Sequence, residues 1–214
     1  MGDFIFTKTD DGSVGLFNQE INDIYHAKQG AYQEACDKFT LPAIEHLKQV
    51  QNNEILNLAD ICYGIGYNTI SFIEKLSKDK VINNYSKIKI NAFELDEELI
   101  ILSPFIKSKN YNWIIRLKLL KSIKKHFSNE KIKQTIDKYY DYTDKAIYKR
   151  FKGKLRFVRL LSNINIIKKP FLHNTYYNYV SNRHNNAVNI NNIKKFNIVY
   201  KIGNARFLIS NIKS

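Results

Sequence analysis

The stretch Asp60-Ile61-Cys62-Tyr63-Gly64-Ile65-Gly66-Tyr67-Asn68 combines residue types and spacing that could do chemistry. An acid closes an apolar run, and two glycines two apart let the backbone approach a ligand while turning into a helix. Thr69 stands where a dinucleotide-binding G-x-G-x-x-G would have its third glycine, and a G-x-G by itself also serves ordinary strand-to-helix turns. Glu94 adds to the ligand reading. It ends the next apolar run, 28 residues after Gly66, where a Rossmann-type fold places a carboxylate on ribose hydroxyls. A carboxylate can accept hydrogen bonds from both hydroxyls. Asp96, in the same acidic run, is the reserve candidate.

The elements that must position these residues can be read from periodicity. Asp3–Lys8 alternates apolar and polar residues, Asp10-Asp11-Gly12-Ser13 supplies turn chemistry, and Val14–Phe17 resumes, which predicts a β-hairpin with positive φ at Gly12. From Ala31 to Gln51 the apolar residues recur at helical spacing, and Pro42 predicts a break followed by a restart with proline in the first turn. Glu54–Asp60 reads as a buried parallel strand, Tyr67–Leu76 as a helix and Lys87–Phe93 as a second strand, together one βαβ unit. Trp113–Phe127 and Glu130–Tyr140 read as Lys-rich amphipathic helices. Lys154–Leu161 is ambiguous between strand and helix, His173–Asn192 has no clear period, and Phe196–Lys201 is a third strand. The expected organisation is a hairpin and helix over residues 1–52, a βαβ unit over 53–106, a basic helical insertion over 107–195, and the third strand over 196–214.

With 214 residues and 44% hydrophobic content, but few Gly and Pro, the sequence has the composition of a folded domain. Its net charge of +14 is unevenly spread. Residues 1–100 carry 9 Lys/Arg against 16 Asp/Glu, and residues 101–214 carry 25 against 4. That asymmetry points to a second half that faces a polyanion. Cys36 and Cys62 lack metal-ligand spacing and build no disulfide framework, which fits a reducing cytoplasm. No signal peptide is expected, and no apolar run approaches the roughly 18 residues of a membrane span.

Asp10-Asp11-Gly12-Ser13, followed by Tyr25-His26-Ala27-Lys28-Gln29-Gly30-Ala31 and Glu34, resembles the start of the MnmC-type methyltransferase domain, with its D-G-S hairpin and Y-H-S…G-A…E segment. Asp60–Asn68 resembles that family's D-x-x-F-G-x-G-x-N loop, with Tyr63 in the Phe position. Gly203-Asn204-Ala205-Arg206 is similar to its G-D-A-R motif, with Asn204 replacing Asp. The resemblance implies a Rossmann-like class I fold that binds S-adenosylmethionine (SAM). It also implies methyl transfer to the exocyclic amine of 5-aminomethyl-uridine at the tRNA wobble position. Many members carry a flavin-dependent domain acting upstream, which here would be a separate enzyme. By resemblance, Gly64, Gly66 and Asn68, with Asp60, would line the methionine end of the cofactor, Glu94 the ribose and Asn204 the adenine. Tyr25, His26 and Glu34 would close over the cofactor, with His26 in a structural role.

The family's next strand, ending in D-x-F-S-P and facing the amine, has no match before Ser214. The expected sheet is therefore the 3-2-1 half of a 3-2-1-4-5-7-6 order, with Ile55–Asp60 as an apolar edge and Lys154–Pro170 as the internal candidate to fill it. No catalytic base is assigned. In the insertion, Lys118, Lys121, Lys124 and Lys125 would share a helix surface, with Arg150, Arg156 and Arg159 further on. Tyr139, Tyr140, Tyr142, Tyr148, Tyr176, Tyr177 and Tyr179 could stack on bases, although for any single tyrosine a place in the helical core is the better expectation. Two alternatives stay open: an RNA-binding remnant without catalysis, and a nicotinamide-dependent oxidoreductase, which fits Gly64, Gly66 and Glu94 but not the flanking motifs.

Overall fold

The computed structural model describes residues 4–19, 22–50, 54–107, 112–152 and 190–204. Strands β1 (Phe4–Lys8) and β2 (Val14–Asn18) form the expected antiparallel hairpin, and the short β3 (Asp23–Ile24) extends it. Gly12 takes φ 78 at the turn. The Asp11 carboxylate then locks this meander to the following helix. It accepts from the Thr9 hydroxyl and the Ser13 N–H at 2.8 Å, and from the Gln33 N–H at 3.0 Å. Burial opposes the charge, but these bonds hold the Asp11 carboxyl below its ordinary pKa. A Cβ on Gly30 would lie 2.5 Å from that carboxyl, so the glycine is required by the lock itself.

Helix α1 (Ala31–Ala35) runs through a π segment (Cys36–Thr40) into α2 (Leu41–Gln49). Pro42 sits in the first turn of α2, as the sequence predicts. The expected break is instead a widened turn. Proline has no N–H to give the preceding turn, and the π register absorbs the mismatch without ending the helix.

Strands β4 (Ile55–Ile61), β5 (Lys87–Glu94) and β6 (Phe196–Ile202) form a parallel sheet in the order β4-β5-β6. Helix α3 (Tyr67–Lys78) crosses between the first two. Its inner face buries Ile70, Ile73 and Leu76 against Ile88 and Ile90 of β5, within one apolar core. Tyr67 ties the meander to this helix, and Tyr32 ties α1 to it. The Tyr67 hydroxyl accepts the Val14 N–H at 2.8 Å, and the Tyr32 hydroxyl donates to Glu74 at 2.6 Å. Among the described residues β4 pairs on one side only, and Ile55 and Ile61 are half exposed. Among these residues the strand read as buried has the unpaired side that the 3-2-1 expectation gives it, and the candidate filler over 154–170 lies outside them.

After β5 come α4 (Glu97–Leu102), α5 (Trp113–His126), α6 (Asn129–Lys138), α7 (Lys145–Lys152) and α8 (Ile190–Lys195). The last of these begins within the last three residues of the aperiodic stretch His173–Asn192, whose residues 173–189 lie outside the described ones. Side chains of Asn112 and Ser128 cap α5 and α6. Helix α5 packs on β6 through the Ser122 hydroxyl, which donates to the Ile198 carbonyl at 2.8 Å. Two of the tyrosines that could have met bases are core residues, the better expectation for any single one of them. Tyr139 is buried with its hydroxyl on Glu98, and Tyr148 is buried with its hydroxyl on Asp137. Tyr140 and Tyr142 stay exposed, the latter stacked on Phe6 with ring centroids 4.7 Å apart. Residues 154–170, Arg156, Arg159, Tyr176, Tyr177 and Tyr179 lie outside the described residues. No described helix is long and apolar enough to cross a membrane.

Candidate functional site

Parallel pairing brings three chain crossings to one end of the sheet. Ile61 lies beside Phe93 and Phe93 beside Lys201. The Tyr63 N–H donates to the Phe93 carbonyl, and the Gly203 N–H to the Glu94 carbonyl, both at 2.9 Å. The glycine loop, the acid after β5 and Gly203-Asn204 thus converge at the carboxyl ends of the strands, where open α/β sheets bind ligands.

Within the loop, Cys62, Gly64 and Gly66 all have positive φ, of 60, 55 and 86. Cys62 is a non-glycine residue in this region, a local cost of the kind found at functional turns. The two glycines serve different ends. A Cβ on Gly66 would fall 2.5 Å from Cζ of Tyr63, so the loop's own aromatic ring excludes a side chain there. At Gly64 a Cβ would meet nothing closer than Tyr25 Cδ1 at 3.8 Å, leaving room beside the backbone.

Glu94 is buried, and its carboxylate is a clamp. Oε2 accepts the Gly64 N–H at 2.6 Å, and Oε1 accepts the N–H groups of Leu95 at 2.8 Å and Asp96 at 3.2 Å. A carboxylate offers about four lone-pair sites, so acceptor capacity remains on Oε2. Tyr25 is half-buried beside this clamp. Burial raises its phenol pKa, a hydrogen bond with Asn18 opposes that, and the charges of Glu94 and Asp96 add to the rise. Asn204, next to Gly203, is exposed at the same strand ends.

The remaining expected residues lie beside this cluster. Asp60 accepts from the Thr69 hydroxyl at 2.6 Å and from Asn68 Nδ2 at 3.4 Å. Thr69 was legible only as a missing third glycine, yet its buried hydroxyl is what satisfies Asp60. Asp60, Asn68 and Thr69 border a cavity of about 420 Å³, with Phe39, Leu58, Phe72 and Ile90, among β4, β5, α3 and the π segment. Glu94, Gly64, Gly66 and Asn204 do not border it. Glu34 orders the turn after Tyr25, accepting the Ala27 N–H at 2.7 Å, with Lys38 at 2.7 Å and His26 at 3.6 Å. Burial lowers the His26 pKa against the pull of Glu34, and its ring packs edge-on to Tyr67.

Burial pushes the Asp60 carboxyl up to about 6, despite the hydrogen bonds from Thr69 and Asn68, from a reference of 3.8. The unfolded chain therefore releases this proton first, and ionisation costs the folded state. Asp60's contribution is fully present below pH 4 and declines by about 2–3 kcal/mol as pH rises through 6. Asp60→Asn is expected to remove that slope. Compared by urea unfolding, the variant should gain about 2–3 kcal/mol on the wild type between pH 4 and 7; a pH-independent difference would contradict the assignment.

No family model matches the chain. A segment of 103 residues, 48% of the chain, is 29% identical to an uncharacterized protein of Methanocaldococcus jannaschii and corresponds to 25% of that protein. The crystal structure of MnmC2 from Aquifex aeolicus resembles the chain with a TM-score of 0.50 at 16% identity, over 100% of this chain and 47% of that one. The chain thus spans a quarter of the curated relative and about half of the solved structure. What the likeness establishes is the architecture: a Rossmann-like α/β fold similar to that of MnmC2.

Proposed function

We propose that this chain binds SAM at the carboxyl ends of β4, β5 and β6, as part of a methyltransferase acting on an amine of a modified wobble uridine in tRNA. The reading is carried by one observation: at those strand ends Glu94 holds Gly64 through its carboxylate and Gly203, next to Asn204, through its carbonyl, with open space beside Gly64. When bound, SAM supplies an electrophilic methyl group on a sulfonium. The residues present fit such a ligand. The Gly64 backbone can be approached closely, Glu94 retains acceptor capacity for a ribose hydroxyl, and the exposed Asn204 amide can accept from an adenine amino group. Tyr25 beside Gly64 would keep water from the cofactor, and Glu34 holds the Tyr25–Gly30 turn in place through the Ala27 N–H. tRNA as substrate is supported by the charge split, and a separate flavin-dependent enzyme would prepare the amine.

Calorimetric titration with SAM, with NADH as control, tests the reading. A micromolar dissociation constant, about 8 kcal/mol, is expected for SAM and none for NADH. Methyl transfer to tRNA carrying 5-aminomethyl-uridine would then be assayed. Failure to bind SAM would overturn the cofactor assignment, and binding of NADH alone would favour the oxidoreductase alternative.

A further inference from the structure

Helix α5 buries Ile115, Leu119, Leu120 and Ile123, while Lys118, Lys121 and Lys125 lie on its less buried side. These lysines are spaced i, i+3 and i+7, so they share one stripe about 10 Å long. Burial raises the cost of the Lys118 charge, and Lys121 and Lys125 repel it, which lowers its pKa to about 8. No ion pair with a carboxylate relieves this stripe among the described residues. Residues 101–214 contain only Glu130, Asp137, Asp141 and Asp144 as acids. Of these, Asp137 holds the Tyr148 hydroxyl and Asp144 pairs with Arg116. Helix α8, which packs against α5, adds the exposed Lys194. The stripe also points toward the site. Lys125 precedes His126, whose ring meets Tyr200 near the end of β6.

We infer that Lys118, Lys121 and Lys125 form a phosphate-binding ridge that seats the backbone of an RNA substrate and leads it toward the strand ends. The inference rests on the proposed RNA substrate and adds the surface that holds it. Even at the 3.4 Å or so axial spacing of one strand of B-form DNA, which A-form RNA shortens, a ridge of this length meets about three phosphates. An acidic protein partner fits less well, because lysine is depleted from the cores of protein interfaces and the ridge positions offer only ammonium heads.

The test measures binding of unmodified bulk tRNA by fluorescence anisotropy across salt concentrations. The wild type is compared with a triple variant, Lys118→Gln/Lys121→Gln/Lys125→Gln, and with a charge-matched control, Lys8→Gln/Lys80→Gln/Lys87→Gln. The ridge variant should flatten the log–log salt dependence by about two to three units and weaken binding roughly 100-fold at 0.1 M salt. The control should keep the wild-type slope, and SAM binding by the ridge variant should match the wild type, which excludes misfolding. Equal slopes for ridge variant and control would overturn the ridge. So would binding of an acidic peptide as tightly as tRNA at matched salt. If tRNA binding follows the ridge but SAM does not bind, the ridge stands and the methyl-transfer reading falls. If SAM binds and tRNA does not, the ridge falls alone.

Discussion

Gly66→Ala is expected to destabilise the chain by about 2–5 kcal/mol, a large part of the 5–15 kcal/mol typical of a domain. Two costs add. The left-handed conformation at φ 86 costs a side-chain-bearing residue about 1–2 kcal/mol. The new methyl also lands 2.5 Å from Cζ and 3.1 Å from Cε2 of Tyr63, an overpacking worth about 1–3 kcal/mol. The ring has no easy retreat. Tyr63 is 2% exposed, its hydroxyl bonds to Ser103 at 3.1 Å, and its edge rests on Tyr200 with centroids 5.5 Å apart. Denaturant unfolding in a Tyr63→Leu background separates the two costs. With the ring gone, only about 1–2 kcal/mol should remain. The same penalty in both backgrounds would mean that the backbone angle alone demands glycine.

That pair also marks how far the sequence could be read. The glycine spacing and the acid after the next strand identified the turn and its place in the fold, because both follow from local chemistry. Nothing local distinguishes a glycine with open space beside its backbone, such as Gly64, from one cleared for a neighbouring ring, such as Gly66. Tyr63 was legible as an aromatic in a phenylalanine position; its bond to Ser103, forty residues on, was not. The hairpin motif was visible through Gly12 and Asp11, but the lock onto Gly30 and Gln33 depends on how the hairpin meets α1. Tyr139 and Tyr148 could not be told individually from base-stacking residues, because a basic helix with scattered aromatics has the same pattern whether its tyrosines face RNA or Glu98 and Asp137. Conversely, the one-sided pairing of β4 among the described residues was anticipated from strand order, although its apolar run looks like that of a central strand.

Glu94 is where stability and ligand binding can be separated. Glu94→Ala removes the acceptor of three backbone N–H groups at a buried position. Each stranded donor costs about 1–3 kcal/mol unless water reaches it, so a loss of at least 3 kcal/mol is expected in denaturant unfolding. Glu94→Gln is the more informative change. Its single oxygen can serve either Gly64 or the Leu95–Asp96 pair, while the amide donors face whichever N–H groups remain, and a loss of about 1–2 kcal/mol follows. SAM affinity should fall by more than stability explains. A ribose diol donates hydrogen bonds, and the amide replaces the spare acceptor on Oε2 with a donor or uses it up on the backbone. A folded Glu94→Gln chain is therefore expected to bind SAM at least tenfold more weakly by calorimetry. Unchanged affinity alongside the predicted stability loss would reduce Glu94 to a loop clamp and move the ribose contact elsewhere.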